Sequence, residues 1–147
     1  MEVRSAGRAR RRLDAVAKFR QVVARVILFI DPDPSVVPRI ADSGADGVEI
    51  YTGYYAAEYR AGGPGPMLAG AAETALAVHA AGLKVNVGHD INLLNLPALL
   101  GALPPVTEAS IGHELTADAL KMGFGPAVRA YKATLAAAAP RPVASPA

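Results

Sequence analysis

Four short apolar segments, each bounded by turn residues, constrain the fold of this 147-residue chain more than any other feature. Short apolar runs between turn signals predict buried strands, here over residues 25–31, 47–53, 83–89 and 108–113. The gaps and the end of the chain carry helical patterns, at residues 35–43, 67–81, 93–103, 115–122 and 126–138. Residues 62–66, Gly-Gly-Pro-Gly-Pro, predict a flexible loop after the second strand. Strands that alternate with helices predict right-handed βαβ units and a parallel sheet.

The net charge of +2 is distributed unevenly along the chain. Residues 1–25 carry eight basic and two acidic side chains, whereas the remainder carries seven basic and eleven acidic ones. A nucleic-acid interface is expected to involve the folded body and aromatic stacking partners. The body is acidic, so we expect no nucleic-acid partner, and binding through the cluster Arg8–Arg12 is a minor alternative. The longest strongly apolar run, residues 26–30, is far too short to span a bilayer, so we expect no membrane partner.

The chain has no cysteine, which excludes a disulfide scaffold, a thiolate metal site and a catalytic cysteine. The lack of cysteine fits a cytoplasmic enzyme. Composition divides the chain into a basic helical head at residues 1–24, a body at residues 25–139 and a disordered tail at residues 140–147.

Glu49 lies in the middle of the second predicted strand, between Val48 and Ile50. Because side chains alternate along a strand, the two apolar residues are expected under the helices and Glu49 on the opposite face. A carboxylate there is costly unless it is paired or used. A role in a site is favoured over pairing with Lys84 or an edge position facing water. Lys84 and Asn86 alternate with valines in the same way, although Lys84 is expected to reach solvent.

Two Gly-His dipeptides, Gly88-His89 and Gly112-His113, end the last two predicted strands. Active sites of α/β proteins are built at this end of the strands. Glycine permits close approach of a ligand, and histidine exchanges protons near neutral pH. Loops at this position in (β/α)₈ barrels often bind phosphate through backbone N–H groups. The pattern therefore predicts a small phosphorylated substrate, the alternative being histidines that cap loop carbonyls; His79, inside a helix, is expected at the surface.

Four segments at these positions resemble the pyridoxine 5′-phosphate synthase family. They occur in the family's order and at similar spacing: Leu28-Phe-Ile-Asp-Pro-Asp33, Gly44-Ala-Asp-Gly-Val-Glu-Ile-Tyr-Thr-Gly53, Leu83-Lys-Val-Asn-Val-Gly-His-Asp90 and Ser110-Ile-Gly-His113. The resemblance covers roughly residues 25–135. It implies the C-terminal half of a TIM (β/α)₈ barrel, with about four βα units and parallel strands. It also implies condensation of 3-amino-2-oxopropyl phosphate with 1-deoxy-D-xylulose 5-phosphate in vitamin B6 biosynthesis.

The resemblance assigns roles to five residues of this chain. His89 matches the family's proton donor, and Glu49 matches the glutamate thought to stabilise the transition state. Gly112 and His113 match the phosphate-binding dipeptide. Asp90 lies beside the donor, where it would contribute through its backbone. The resemblance implies no cofactor and no metal ligand.

This chain also departs from the family's pattern. Tyr51 stands where many members have histidine, and the family's first strand and two general bases have no counterpart. A complete barrel takes about 250 residues, and a half-barrel would leave two parallel edges exposed. We therefore expect the chain to form a homo-oligomer or to associate with a missing N-terminal half. The alternatives are a non-catalytic phosphate-binding or assembly half-barrel and an unrelated phosphate-handling enzyme.

Overall fold

The computed structural model describes residues 14–138 of the chain. One parallel sheet of four strands forms its centre, with the strands side by side in chain order. The strands are β1 (Ile27–Ile30), β2 (Gly47–Tyr51), β3 (Lys84–Gly88) and β4 (Glu108–Ser110). All four lie within the segments predicted as strands, so the predicted α/β fold with parallel strands is confirmed.

Helices lie in every connection between the strands and follow the last one. Residues 14–19 are helical and are called α1, and a short 3₁₀ turn at Pro34–Val36 precedes α2. The remaining helices are α2 (Val37–Ala41), α3 (Gly53–Gly62), α4 (Pro66–Ala80), α5 (Leu96–Ala102), α6 (His113–Met122) and α7 (Phe124–Ala138). Five of these match predicted helices to within a few residues.

Helix α3 was not predicted from the sequence. Its sequence, GYYAAEYRAG, is rich in tyrosine and has a glycine at each end, a pattern that does not favour a helix over an extended segment. Burial of Tyr55 and Ala56 against the rest of the protein outweighs that weak preference. Helix α5 also differs from expectation, because Pro97 lies in its first turn and not in its interior. Proline is tolerated there, since the first-turn N–H groups have no intrahelical acceptor.

The two faces of the sheet differ in chemistry, as the alternation in the sequence predicts. Val48, Ile50, Val85 and Val87 are at most 1% exposed and lie under the helices. Glu49 points to the opposite face. Strand β2 lies between β1 and β3, so the alternative that places Glu49 at a sheet edge is wrong.

The buried side chains form two adjoining apolar clusters. The first lies under β1, β2 and the start of β3, where Val16, Ile40 and Val78 pack on the strands. The second lies under the end of β3, where Val87 belongs to one cluster with residues of α3, α5 and α7, among them Tyr55, Leu99 and Tyr131. The Tyr131 hydroxyl donates to Asp118 Oδ2 at 2.8 Å and joins α7 to α6. Burial, and secondarily the Asp118 carboxylate, raises the pKa of Tyr131.

An ion pair links the two outer strands of the sheet. Arg25, just before β1, meets Glu108, the first residue of β4, with 3.1 Å between Nη2 and Oε2. Glu108 alternates with Ser110 on the face that carries Glu49, so the ion pair reaches over β2 and β3 on that face. We call this face, which lies opposite the helices, the concave face.

Part of the basic head packs against the body. Val16 in α1 is buried in the first apolar cluster, and Arg20 pairs with Asp46 at 3.5 Å. The predicted boundary after residue 24 stays a prediction. The cluster Arg8–Arg12 and the tail at residues 140–147 lie outside the described residues. None of the helices between residues 14 and 138 has the length and apolar character that a bilayer crossing requires.

Replacement of Leu99 by alanine tests the second apolar cluster. Leu99 is fully buried, so Leu99→Ala should lower the free energy of unfolding by about 2–5 kcal/mol. Leu94→Ala is the matched control, because Leu94 is 78% exposed. This substitution should lower the free energy of unfolding by less than about 0.5 kcal/mol. Urea unfolding followed by circular dichroism measures both. Equal effects of the two substitutions would contradict this core.

Candidate active site

Three polar side chains meet on the concave face, near the carboxyl ends of β2, β3 and β4. Glu49 lies on β2, His89 directly follows β3, and Ser110 is the last residue of β4. The strands are parallel and adjacent, so their carboxyl ends lie along one edge of the sheet. The predicted location of the site at this edge agrees with the arrangement of these residues.

Glu49 and His89 form the centre of the arrangement. Glu49 Oε1 lies 3.6 Å from His89 Nδ1, an ion-pair contact when the imidazole is protonated but too long for a hydrogen bond. The side chain of Glu49 is 19% exposed and that of His89 is 52% exposed. The carboxylate is therefore partly desolvated, whereas the imidazole is open to a ligand. Lys84 is exposed at the start of β3, as expected, and the alternative pairing of Glu49 with Lys84 is not observed.

The second carboxylate oxygen of Glu49 is also occupied. Ser110 Oγ donates a hydrogen bond to Glu49 Oε2 at 3.0 Å. Gly88 lies between the two residues on the same face of the sheet. A Cβ atom at Gly88 would lie 2.9 Å from Glu49 Cδ and 3.2 Å from Ser110 Cβ. Glycine is therefore required here by the close approach of the carboxylate to the backbone of β3.

The backbone after β3 is strained at the catalytic candidate. His89 has φ 79° and Asp90 has φ 57°, the left-handed region that non-glycine residues enter at a cost of about 1 kcal/mol or more. Thr52 directly follows β2 and is fully buried, and its single hydroxyl proton is shared between the carbonyls of Gly88 and His89. This shared hydrogen bond holds the strand end in the conformation that turns His89 toward Glu49.

Two asparagines support the loop that follows Asp90. The Asn95 side chain accepts from Asn92 N at 2.8 Å and donates to Asp90 O at 3.2 Å. Tyr55 donates to Asn95 O at 2.7 Å from the buried end of α3. Asn92 Nδ2 lies 3.4 Å from Glu114 Oε2 and links this loop to the start of α6. The loop is thus fixed from both sides.

Aromatic rings surround the imidazole. Phe29 on β1 lies edge-on to His89 with 5.1 Å between ring centroids, and Tyr51 on β2 lies at 5.7 Å. Tyr54 in turn packs edge-on against Tyr51 at 5.0 Å. Phe29 and Tyr54 are each more than half exposed. The tyrosine at position 51 therefore lies at the mouth of the site, in contact with the catalytic candidate.

An open pocket of about 400 Å³ lies between the loops after β3 and β4. Residues 89–91 form one wall and residues 110–114 the other. Gly112 is the N-cap of α6, and His113 is the first residue of that helix, two positions earlier than predicted. The helix therefore begins at the pocket, with its unpaired N–H groups and the positive end of its dipole there.

Asn86 places another polar group on the concave face. It is only 3% exposed, and among the described residues no donor reaches its side-chain oxygen. The predicted polar character of this face is thus confirmed at Glu49 and Asn86. In residues 14–138, no group of three or more His, Asp or Glu side chains is placed to hold a metal ion.

Sequence reasoning brought together Glu49, His89, Asp90, Gly112 and His113, and the structure places them around one edge of the sheet. It missed two supporting residues. Ser110 is two residues after Glu108 and two before Gly112, so alternation along the strand indicates that it lies on the same face of the sheet as Glu108. Thr52 gave no such signal, because its role depends on a contact with β3, 36 residues further along the chain. His79 is exposed on α4, as expected.

The fold and the site define a class of protein. Its members are parallel α/β proteins in which an imidazole–carboxylate pair and a helix N-terminus lie together at the carboxyl ends of the strands. Comparison with known proteins gives the family. Residues 3–137 match the model of the family described as "Pyridoxal phosphate biosynthesis protein PdxJ". The chain belongs to this family, which confirms the resemblance found in the sequence.

Curated relatives carry the name pyridoxine 5′-phosphate synthase. The protein from Xanthomonas campestris pv. campestris strain B100 is 44% identical over 124 residues, which are 84% of this chain and 48% of the relative. The protein from Albidiferax ferrireducens is 46% identical over 125 residues, 85% of this chain and 50% of the relative. The protein from Brucella anthropi is 45% identical over 122 residues, 82% and 50% respectively. The chain spans about half the length of the curated relatives it matches.

Replacement of Gly88 by alanine tests the close approach of Glu49 to β3. The added methyl group would displace the carboxylate or the strand, and we expect Gly88→Ala to lower the free energy of unfolding by about 1–3 kcal/mol. Gly101→Ala is the control, since open space surrounds Gly101 in α5 and alanine favours a helix. Thermal unfolding measures both. A Gly88→Ala protein as stable as Gly101→Ala would contradict the geometry.

Alkaline pH tests the buried hydrogen bond beneath the loop. Burial raises the pKa of Tyr55 from 10.0 to about 12. As the pH rises from 10 to 12, the unfolded chain therefore loses this proton before the folded chain does, and stability falls. Tyr55→Phe should remove the part of the stability loss at alkaline pH that comes from Tyr55. At pH 7 this substitution should lower the free energy of unfolding by about 1–3 kcal/mol, because Asn95 O loses its donor.

Urea unfolding at pH 7, 9.5 and 11.5 measures the effect of Tyr55→Phe. The stability difference from the parent should be largest at pH 7 and should shrink at pH 11.5. Tyr54→Phe is the control, since Tyr54 is 53% exposed. A difference that stays constant across this range would contradict the role of Tyr55.

Proposed function

We propose that this chain supplies the acid–carboxylate part of a pyridoxine 5′-phosphate synthase active site. The observation that carries the proposal is the contact of Glu49 with His89 beside the Gly112-His113 turn, in a chain of this family. The reaction condenses 3-amino-2-oxopropyl phosphate with 1-deoxy-D-xylulose 5-phosphate. It yields pyridoxine 5′-phosphate, inorganic phosphate and water. No cofactor is part of the proposal.

His89 acts as the proton donor in this proposal. Expulsion of water during ring formation requires a proton on the leaving oxygen, and a positioned imidazolium supplies it. His89 is half exposed at the pocket, so its ring is accessible to substrate. Glu49 contacts the same ring and stabilises the positive charge that the donor carries and the charge that develops in the transition state.

The pocket beside His89 receives a phosphate group. The backbone N–H groups at the start of α6, including that of His113, lie at its wall, and a helix N-terminus favours anions. Gly112 has no side chain to obstruct an approaching phosphate, and a Cβ atom there would meet open space. Asp90 lines the pocket in a left-handed conformation and contributes through its backbone.

A second half-barrel completes the site. The general bases that the condensation needs have no counterpart among the polar side chains that residues 14–138 place on the concave face. Strands β1 and β4 are the outer strands of the described sheet, and such edges favour pairing with further strands. The partner is an N-terminal half of the family's fold or another copy of this chain, and we place the assembly in the cytoplasm.

A complementation assay tests the proposed function. The purified chain is mixed with the separately expressed N-terminal half of the Xanthomonas campestris relative, both substrates are added, and pyridoxine 5′-phosphate is measured by mass spectrometry. We expect turnover in the mixture and its loss by roughly 10²–10⁴-fold in His89→Ala. His79→Ala is the matched control, because His79 is exposed on α4 away from the pocket.

Turnover that survives His89→Ala would contradict the proposal. The second candidate, a phosphate-binding module without catalysis, is favoured by the open pocket at the start of α6. Nuclear magnetic resonance titration with inorganic phosphate distinguishes it. Phosphate-dependent shifts at residues 112–114 with no turnover in any mixture would favour that module.

A further inference from the structure

We infer that Ser110 is a positioning residue, which holds the Glu49 carboxylate so that one oxygen faces His89. This inference rests on the proposed function, since it assigns a task to the Glu49–His89 pair. Ser110 was not among the residues to which the sequence assigned a role. Its contacts, its surroundings and its exposure each support the assignment.

The two carboxylate oxygens of Glu49 have different neighbours. Oε2 of Glu49 accepts from Ser110 Oγ at 3.0 Å, and Oε1 lies 3.6 Å from His89 Nδ1. Within residues 14–138, Ser110 supplies the one hydrogen bond found to this carboxylate. A bond to a carboxylate is stronger than one between neutral groups. Loss of the hydroxyl would therefore free the carboxylate to rotate about its terminal torsion, which is a soft one.

The packing around the carboxylate also brings Ser110 to Glu49. Gly88 is in register with Ser110 on the neighbouring strand, and its missing side chain leaves the space that the carboxylate fills. A Cβ at Gly88 would lie within 3.2 Å of both Glu49 Cδ and Ser110 Cβ. The serine and the carboxylate thus converge over the same backbone position. This convergence places the hydroxyl beside Oε2 and leaves Oε1 on the side of His89.

Ser110 makes little contribution to the core. The residue is exposed and belongs to neither apolar cluster. Among the described residues, its hydroxyl donates to Glu49 alone. Removal of the hydroxyl should therefore act on the Glu49–His89 pair, while the apolar packing stays intact.

The tautomer of neutral His89 reports on this effect without any turnover. A carboxylate next to Nδ1 favours the form with its proton on that nitrogen, because only a protonated nitrogen is attracted to it. Long-range ¹H–¹⁵N correlation at pH 8 measures the two tautomers in the full chain. Ser110→Ala should lower the proportion of the Nδ1–H form relative to the Nε2–H form by about twofold or more. Ser110→Thr, which keeps a hydroxyl, should restore the ratio of the parent.

A second background shows whether the effect passes through Glu49. In Glu49→Ala, no acceptor or charge remains next to His89 and Ser110 has nothing to orient, so adding Ser110→Ala should leave the tautomer ratio unchanged. The assignment is overturned if Ser110→Ala alone leaves the ratio unchanged, or if it shifts the ratio equally in the Glu49→Ala background. Failure of the complementation assay would remove the proposed reaction, whereas the tautomer measurement decides the role of Ser110 on its own.

Discussion

Burial of one face of β2 and β3 beneath the helices is the constraint on which the rest of the structure depends, and it rests on four apolar side chains, Val48, Ile50, Val85 and Val87. Each contributes about 1.5–3 kcal/mol by leaving water. Because side chains alternate along a strand, the same burial directs Glu49 and Asn86 to the other face. Parallel pairing then brings the carboxyl ends of three strands together. The location of the site is a geometric consequence of the core.

The site is held by groups that carry no chemistry of their own. Gly88 makes room for the Glu49 carboxylate, and Thr52 accounts for the hydrogen bonds that stabilise the strained turn at His89. Tyr55 fixes the following loop through a buried bond to Asn95. Strain at a functional residue persists where the surroundings over-determine it. Thr52 and Tyr55 act from the helix side of the sheet, whereas Gly88, Glu49 and His89 meet on the concave face.

The concave face brings together several site residues within a chain that spans about half the length of its curated relatives. The imidazole–carboxylate pair and the helix N-terminus lie within one contiguous set of strands, so they can be assembled without the other half of a barrel. Phe29, on the outer strand β1 of the described sheet, contacts His89. The site therefore extends across the sheet from β4 to β1.

The sequence alone determined the four strands, the face of Glu49 and the end of the sheet at which His89 and His113 lie, because alternation and turn residues are local properties. It also carried the family's motifs. Tertiary structure alone decided that segment 53–62 is helical, since burial of Tyr55 overrides a weak local preference. It also decided which groups Thr52 and Ser110 contact. Alternation along β4 places Ser110 on the face of Glu49, but the hydrogen bonds of Thr52 and Ser110 join residues 36 and 61 positions apart, and no local pattern encodes such contacts.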